Sequence, residues 1–186
     1  MSHDDLRTLY EHQARSLSRR PSLGRAAARS RVHLVSDTKA EARSGLRATE
    51  VELPTEDGGS GSAHHPGELM RACLGSALVL GYRLWASRLG IPVANIEVDV
   101  TCEFDTRGEL GLDADIAIGW ERIIFDVRIE SDAPSLEVAR LVTHADRLCP
   151  MLANLASSIT RVHHLTVVKP TSSSSKPPVF STRTEP

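Results

Sequence analysis

The chain has 186 residues, of which 40% are hydrophobic and 25% charged, with a formal net charge of −2. That is one domain's worth of chain with enough apolar residues for a sizeable core. The near-balance of charge, with only 4% aromatic residues, excludes a basic nucleic-acid footprint, a base-stacking surface and a polybasic membrane patch.

The chain opens Met1-Ser-His-Asp-Asp, without the positive and apolar regions of a signal peptide. No apolar run reaches the ~20 residues needed to cross a bilayer. Three cysteines in such a chain read as reduced thiols rather than a disulfide framework. The expectation is a soluble cytoplasmic protein with neither nucleic acid nor membrane as partner.

Between residues 4 and 19, Leu6, Leu9, Tyr10, Gln13 and Leu17 form one helical stripe, and Pro21 follows as a stop. Two alternating runs, Arg31–Asp37 and Leu46–Leu53, predict strands, two or three in all before the next helix, with Ser44-Gly45 supplying turn chemistry between them. Pro54–Pro66 is rich in Gly, Ser and acidic residues and predicts a mobile loop. Its Asp57-Gly-Gly-Ser-Gly-Ser lacks the lysine and strand-to-helix context of a phosphate loop.

Glu68 to about Leu89 predicts a helix that is apolar over most of its circumference, and therefore buried. Gly90 and Pro92 form the stop signal. Ile96, Val98, Val100, Cys102 and Phe104 alternate with polar residues, as do Ile123, Phe125, Val127 and Ile129. With Leu112, Ala114, Ile116 and Ile118 between them, these runs predict a three-stranded antiparallel meander with one wet face.

Pro134-Ser135 opens a second amphipathic helix carrying Val138, Leu141, Val142, Ala145 and Cys149 on one stripe. Pro150 disfavours helical geometry at Cys149, so a break falls at the thiol. A short helix, Met151–Ser158, and a last strand, Val162–Val168, follow. Pro170–Pro186 is Ser/Pro-rich, which predicts disorder. The order of elements predicts an α+β fold with helices against antiparallel sheet.

Pro66-Gly-Glu-Leu-Met-Arg-Ala-Cys-Leu-Gly-Ser-Ala77, taken with Cys149-Pro150, resembles the OsmC/Ohr family of thiol-dependent hydroperoxide reductases. That family's signature helix opens Pro-x-Glu-Leu and runs on to Gly-Ser-Cys or Ala-Ala-Cys. The resemblance covers roughly residues 30–168. It implies an OsmC-like domain there, after a helical extension over 1–29 and before a disordered tail over 169–186. It also implies antiparallel sheets around a long buried central helix, an intertwined homodimer, and no metal or flavin.

In the family, an attacking cysteine on the central helix pairs with a resolving cysteine before the second helix kink. An arginine from the N-terminal strands stabilises the thiolate, and a glutamate near the helix start orients it. Carried onto this chain, Cys149 takes the resolving position and Glu68 the glutamate of Pro-x-Glu-Leu. Gly67 stands where the organic-hydroperoxide branch has its glutamate, directly after the proline. Arg43 takes the thiolate-stabilising role, with Arg47 as runner-up. The attacking position falls on Ala77, which has no nucleophile. Cys73 lies one turn earlier on the same helix face, about 6 Å away along the axis.

Each of these residues also has a plainer reading. Cys73 and Cys102 suit small core positions, Cys149 suits packing beside Leu148 and Met151, and Glu68 suits a helix N-terminus. Arg43 and Arg47 suit a solvated strand. His64-His65 and His163-His164 lack the companions of a zinc motif.

Three functions follow as expectations. The first is a peroxidase using Cys149 and Cys73 on small organic hydroperoxides, with electrons from an external dithiol. The second is a catalytically lapsed OsmC-like dimer that binds a small hydrophobic ligand. The third is a purely structural or interaction role.

Overall fold

The computed structural model describes residues 3–156. Its N-terminal helix α1 (His3–Arg19) carries Asp4 and Asp5 in the first turn and Arg19 in the last, the charge order a helix dipole favours. A 3-10 turn at Pro21–Gly24 ends it. Strands β1 (Arg31–Ser36), β2 (Lys39–Ser44) and β3 (Arg47–Glu52) form an antiparallel sheet in the order β1-β2-β3. Ser44 pairs with Arg47 across the Gly45-Leu46 turn.

The strand expected to follow Arg31–Asp37 directly is therefore the third of the sheet, and β2 lies between. Lys-Ala-Glu-Ala-Arg-Ser alternates small and charged residues, which gives no apolar periodicity. Ladder bonds on both edges hold it nonetheless.

The segment from Leu53 to His65 is organised, where the composition predicted a mobile loop. Glu52, only 3% exposed, accepts hydrogen bonds from the Ser60, Ser62 and Ala63 amides at 2.6, 3.0 and 3.2 Å. Those bonds, that to Ser60 foremost, hold its carboxyl down at about 2. The Glu52 amide in turn donates to the His64 carbonyl at 3.0 Å.

Helix α2 (Pro66–Leu89) begins with proline at its first position and ends on Gly90 in the left-handed conformation, φ 70, where glycine carries no Cβ penalty. It packs on α1, on helix α4 (Ser135–Arg147) and on strand β4 (Asn95–Glu103). Gly75 makes the last contact close, since a Cβ there would lie 3.2 Å from Val100 Cγ2. The burial is one-sided. Leu74, Leu78, Tyr82 and Ala86 are buried, whereas Met70, Leu80 and Leu84 are exposed. A single chain thus covers only part of a helix that the sequence predicted to be buried over most of its circumference.

Strands β4 (Asn95–Glu103) and β5 (Arg122–Glu130) form a two-stranded antiparallel sheet. Ile96 faces Ile129, Val98 faces Val127 and Val100 faces Phe125, so the two expected apolar rows share one face. The expected middle strand is replaced by α3 (Thr106–Glu109) and turns. Polar side chains compete with the ladder there: Asp105 accepts from the Arg107 amide and Asp113 from the Asp115 amide, both at 3.0 Å. Leu112 and Ile118 are left exposed.

Helix α4 (Ser135–Arg147) and helix α5 (Pro150–Ala156) complete the described fold, which is α+β as the sequence predicts. Buried Leu141 joins Ala86 and Val93 in one core cluster, and Leu78, Tyr82, Ala145 and Cys149 form another. The expected strand Val162–Val168, the tail, and His163-His164 lie outside the described residues.

Candidate functional site

The break between α4 and α5 fixes Cys149. Its amide donates to the Asp146 carbonyl at 3.2 Å, and its own carbonyl accepts from Ala153 at 3.0 Å as α5 begins. Pro150 costs nothing at the first position of that helix, because the missing N–H would have no helical partner anyway. Cys149 as a whole is 7% exposed. Tyr82 braces the same corner by donating from its hydroxyl to Asp146 Oδ1 at 2.7 Å. Burial, then that bond to Asp146, pushes the Tyr82 hydroxyl well above its ordinary pKa, so it stays a donor.

A cleft of about 310 Å³ opens between α2 and the α4–α5 corner. Ala77, Gly81, Trp85 and Arg88 line it from α2, and Leu148 and Cys149 from the other side. Ala77 also packs against the core cluster that includes Cys149. Ala77 and Cys149 therefore share both a packing cluster and the lining of one cleft. Among the described residues, Cys149 is the one sulfur-bearing residue that lines this cleft.

Cys73 is elsewhere. It is exposed, and its thiol donates to Met151 Sδ at 3.6 Å. Cys102 sits half-buried on β4, where burial pushes its thiol up and the charge of Arg71 offsets part of the rise. All three cysteines are unbridged.

Glu68 serves the start of α2. Its Oε2 accepts from the His65 amide at 3.1 Å and lies 3.3 Å from His64 Nδ1. The His65 bond, then that to His64, holds its carboxyl below the usual range. His65 Nδ1 accepts from the Gly67 amide at 3.2 Å, completing a reciprocal cap. Both histidines are thereby engaged at the helix start.

Arg43 lies on β2 and pairs with Glu41, at 2.5 Å from Nε and 3.0 Å from the second guanidinium nitrogen. The Arg43 bond holds the Glu41 carboxyl down. Arg47, at the start of β3, is exposed. Among the described residues, neither arginine nor Glu68 is hydrogen-bonded to Cys73 or Cys149. The four residues singled out by sequence thus occupy three places: the sheet, the start of α2, and the α2–α5 contact with its neighbouring corner.

Two features escaped the sequence. The Tyr82–Asp146 bond joins residues 64 apart, beyond any local periodicity. The second is an aromatic nest around Arg88. Its guanidinium carbon lies 4.0 Å from the Tyr10 ring centre and 4.5 Å from that of Trp85. The Trp85 ring meets His144 edge-on at 4.3 Å. The three-residue spacing of Trp85 and Arg88 was a visible signal, but its partners come from α1 and α4.

A family model described as OsmC-like protein matches residues 59–163. No curated protein matches the chain. Among solved structures, an OsmC-like protein from Mycoplasma pneumoniae is similar at 17% identity and TM-score 0.61, over 70% of this chain and 88% of that one. An organic hydroperoxide resistance protein OsmC from Legionella pneumophila is similar at 18% identity and TM-score 0.51, over 70% and 89%. A hydroperoxide resistance protein from Vibrio cholerae, with captopril bound in one of its active sites, is similar at 15% identity and TM-score 0.50, over 70% and 84%. At these identities the likeness is one of fold. No described helix is long and apolar enough to cross a membrane.

Proposed function

The chain belongs to the OsmC-like protein family, and from that premise we propose that it is a catalytically lapsed homodimer holding a small hydrophobic ligand beside Cys149. The observation that carries this reading is the pairing of Ala77 with Cys149 at one cleft. In a two-thiol cycle, a thiolate takes the terminal peroxide oxygen and becomes a sulfenic acid while the alcohol leaves. A second thiol then condenses with it, releasing water and forming a disulfide. With alanine at position 77 the cleft holds one thiol where the cycle uses two, and no cationic side chain is hydrogen-bonded to Cys149 among the described residues. The apolar walls remain, which suits binding without turnover.

The homodimer is supported by what one chain leaves uncovered. Leu80 is 62% exposed on α2, and Leu34 is 71% exposed on β1 beside exposed Val32 and Val35. A second copy is the occupant the reading commits to, because apolar rows on both a central helix and a sheet are unusual on a stable monomer. Sedimentation velocity is expected to give a dimer, and a monomer at micromolar concentration would remove this part.

A second reading keeps turnover, with Cys149 as the attacking thiol, Cys73 as its partner and an external dithiol returning both to the reduced state. It is favoured by the Cys73–Met151 contact, which places one thiol against the residue two positions past the other.

One experiment separates the two. Thiols are titrated before and after one equivalent of cumene hydroperoxide, and any disulfide is mapped. Three surviving thiols are expected. Rapid loss of two, mapped to Cys73–Cys149, would replace the binding reading with the enzymatic one.

A further inference from the structure

Among the described residues Arg88 is the one charged group lining the cleft, and thiol chemistry gives it no task. Two aromatic rings hold its guanidinium, which fixes the plane but leaves the charge in need of an anion. Among the described residues no carboxylate pairs with it, and its Nε is buried without a hydrogen-bond partner. His144 Nε2, on the ring that meets Trp85 edge-on, is likewise buried and unpartnered. Two nitrogens without partners thus flank one tryptophan at the wall of an apolar cleft. Guanidinium cannot discharge itself by losing a proton, and its planar fork of donors matches a carboxylate.

We propose that the cleft binds a molecule with an apolar body and a single carboxylate head. The head sits on Arg88 and the body runs along Gly81 and Ala77 toward Cys149. This deepens the binding reading above and rests on it. The volume of about 310 Å³ lies at the small end of the ~300–1,000 Å³ common for ligand sites, so the body is a short acyl or aryl group rather than a long lipid chain. Alanine at 77, smaller than cysteine, leaves room for that body.

The test is calorimetric titration of the full chain with octanoate and with octan-1-ol, which share a body and differ in the head. Octanoate is expected to bind at least tenfold more tightly, the scale of a charge-assisted hydrogen bond. Hexanoate is expected to bind about fifteenfold more weakly than octanoate, since each buried methylene is worth about fourfold. Arg88→Met is expected to abolish the preference for the acid. Gly81→Leu is expected to block both ligands, because a Cβ at Gly81 meets nothing within 4 Å and the side chain would fill the cleft.

Equal binding of acid and alcohol, or octanoate affinity unchanged in Arg88→Met, would overturn the carboxylate assignment while leaving an apolar site standing. If Arg88→Met does not fold, Arg88→Lys replaces it. The lysine has no fork, so a severalfold loss is expected, and unchanged affinity would overturn the assignment. Failure of both ligands to bind folded wild-type protein would overturn the binding reading together with this one. Unchanged binding in Gly81→Leu would place the site outside the cleft.

Discussion

Restoring a thiol at position 77 tests the lapsed reading from the opposite direction. Ala77→Cys adds one sulfur atom where the cleft is open, so the ~1–3 kcal/mol cost of overpacking a closed core does not apply in full. If the new thiol and Cys149 meet, with Cα atoms within about 7 Å, one equivalent of cumene hydroperoxide should join them. The bridge would close a loop of about 73 residues, and loop-closure entropy then gives an upper value of about 4.4 kcal/mol. For a chain of this size that corresponds to roughly 9–18 °C in melting temperature. The assay is thiol titration with peptide mapping, followed by thermal unfolding with and without reductant. Four free thiols should fall to two, and the reductant should erase the gain in melting temperature. Four thiols surviving the peroxide would refute the claim that position 77 adjoins Cys149 in a redox-competent geometry. A disulfide from Cys73 instead would refute the assignment of Ala77 as the vacant place.

Tyr82→Phe removes the hydroxyl that reaches Asp146, and a bond to a charged acceptor is worth about 1.5–3 kcal/mol. Urea unfolding should show that loss, and a change under 0.5 kcal/mol would deny the bond its bracing role. The folded value of Glu52, about 2, lies below its ordinary 4.5. Its contribution is therefore complete above about pH 4.5 and is lost as pH falls through 2. Amide exchange at Ser60, Ser62 and Ala63 should rise across that window relative to the rest of the chain, and flat protection would contradict the Glu52 contacts.

The parts of the fold with local signals were legible in the sequence. Helix α2 has a proline-led start and a glycine stop, and β4 and β5 alternate cleanly, so each could be read alone. Strand β2 could not, because its stability comes from two neighbours rather than from an apolar face. The missing middle strand shows the converse. Leu112, Ala114, Ile116 and Ile118 alternate well, yet Asp105 and Asp113 offer the backbone local bonds that divert it into turns. At the site, Pro150 revealed the corner that holds Cys149. The grouping of Arg88 with Tyr10 and Trp85 was not legible, since it depends on how α1 lies across α2. Arg43 and Glu68 are singled out only by family position, and their partners in one chain are Glu41 and His64-His65.

The loop held by Glu52 explains an apparent waste of good chemistry. A Gly/Ser-rich stretch with its amides turned inward is the material from which proteins build cradles for phosphate. Here the guest is tethered. A carboxylate fixed to the strand next door competes at a high effective concentration, typically millimolar or more for so short a link, and it never diffuses away. Free phosphate would have to evict a resident anion before gaining a single bond. The segment is thus a lock sold with its key already turned, proof against the small anions that its composition would otherwise invite.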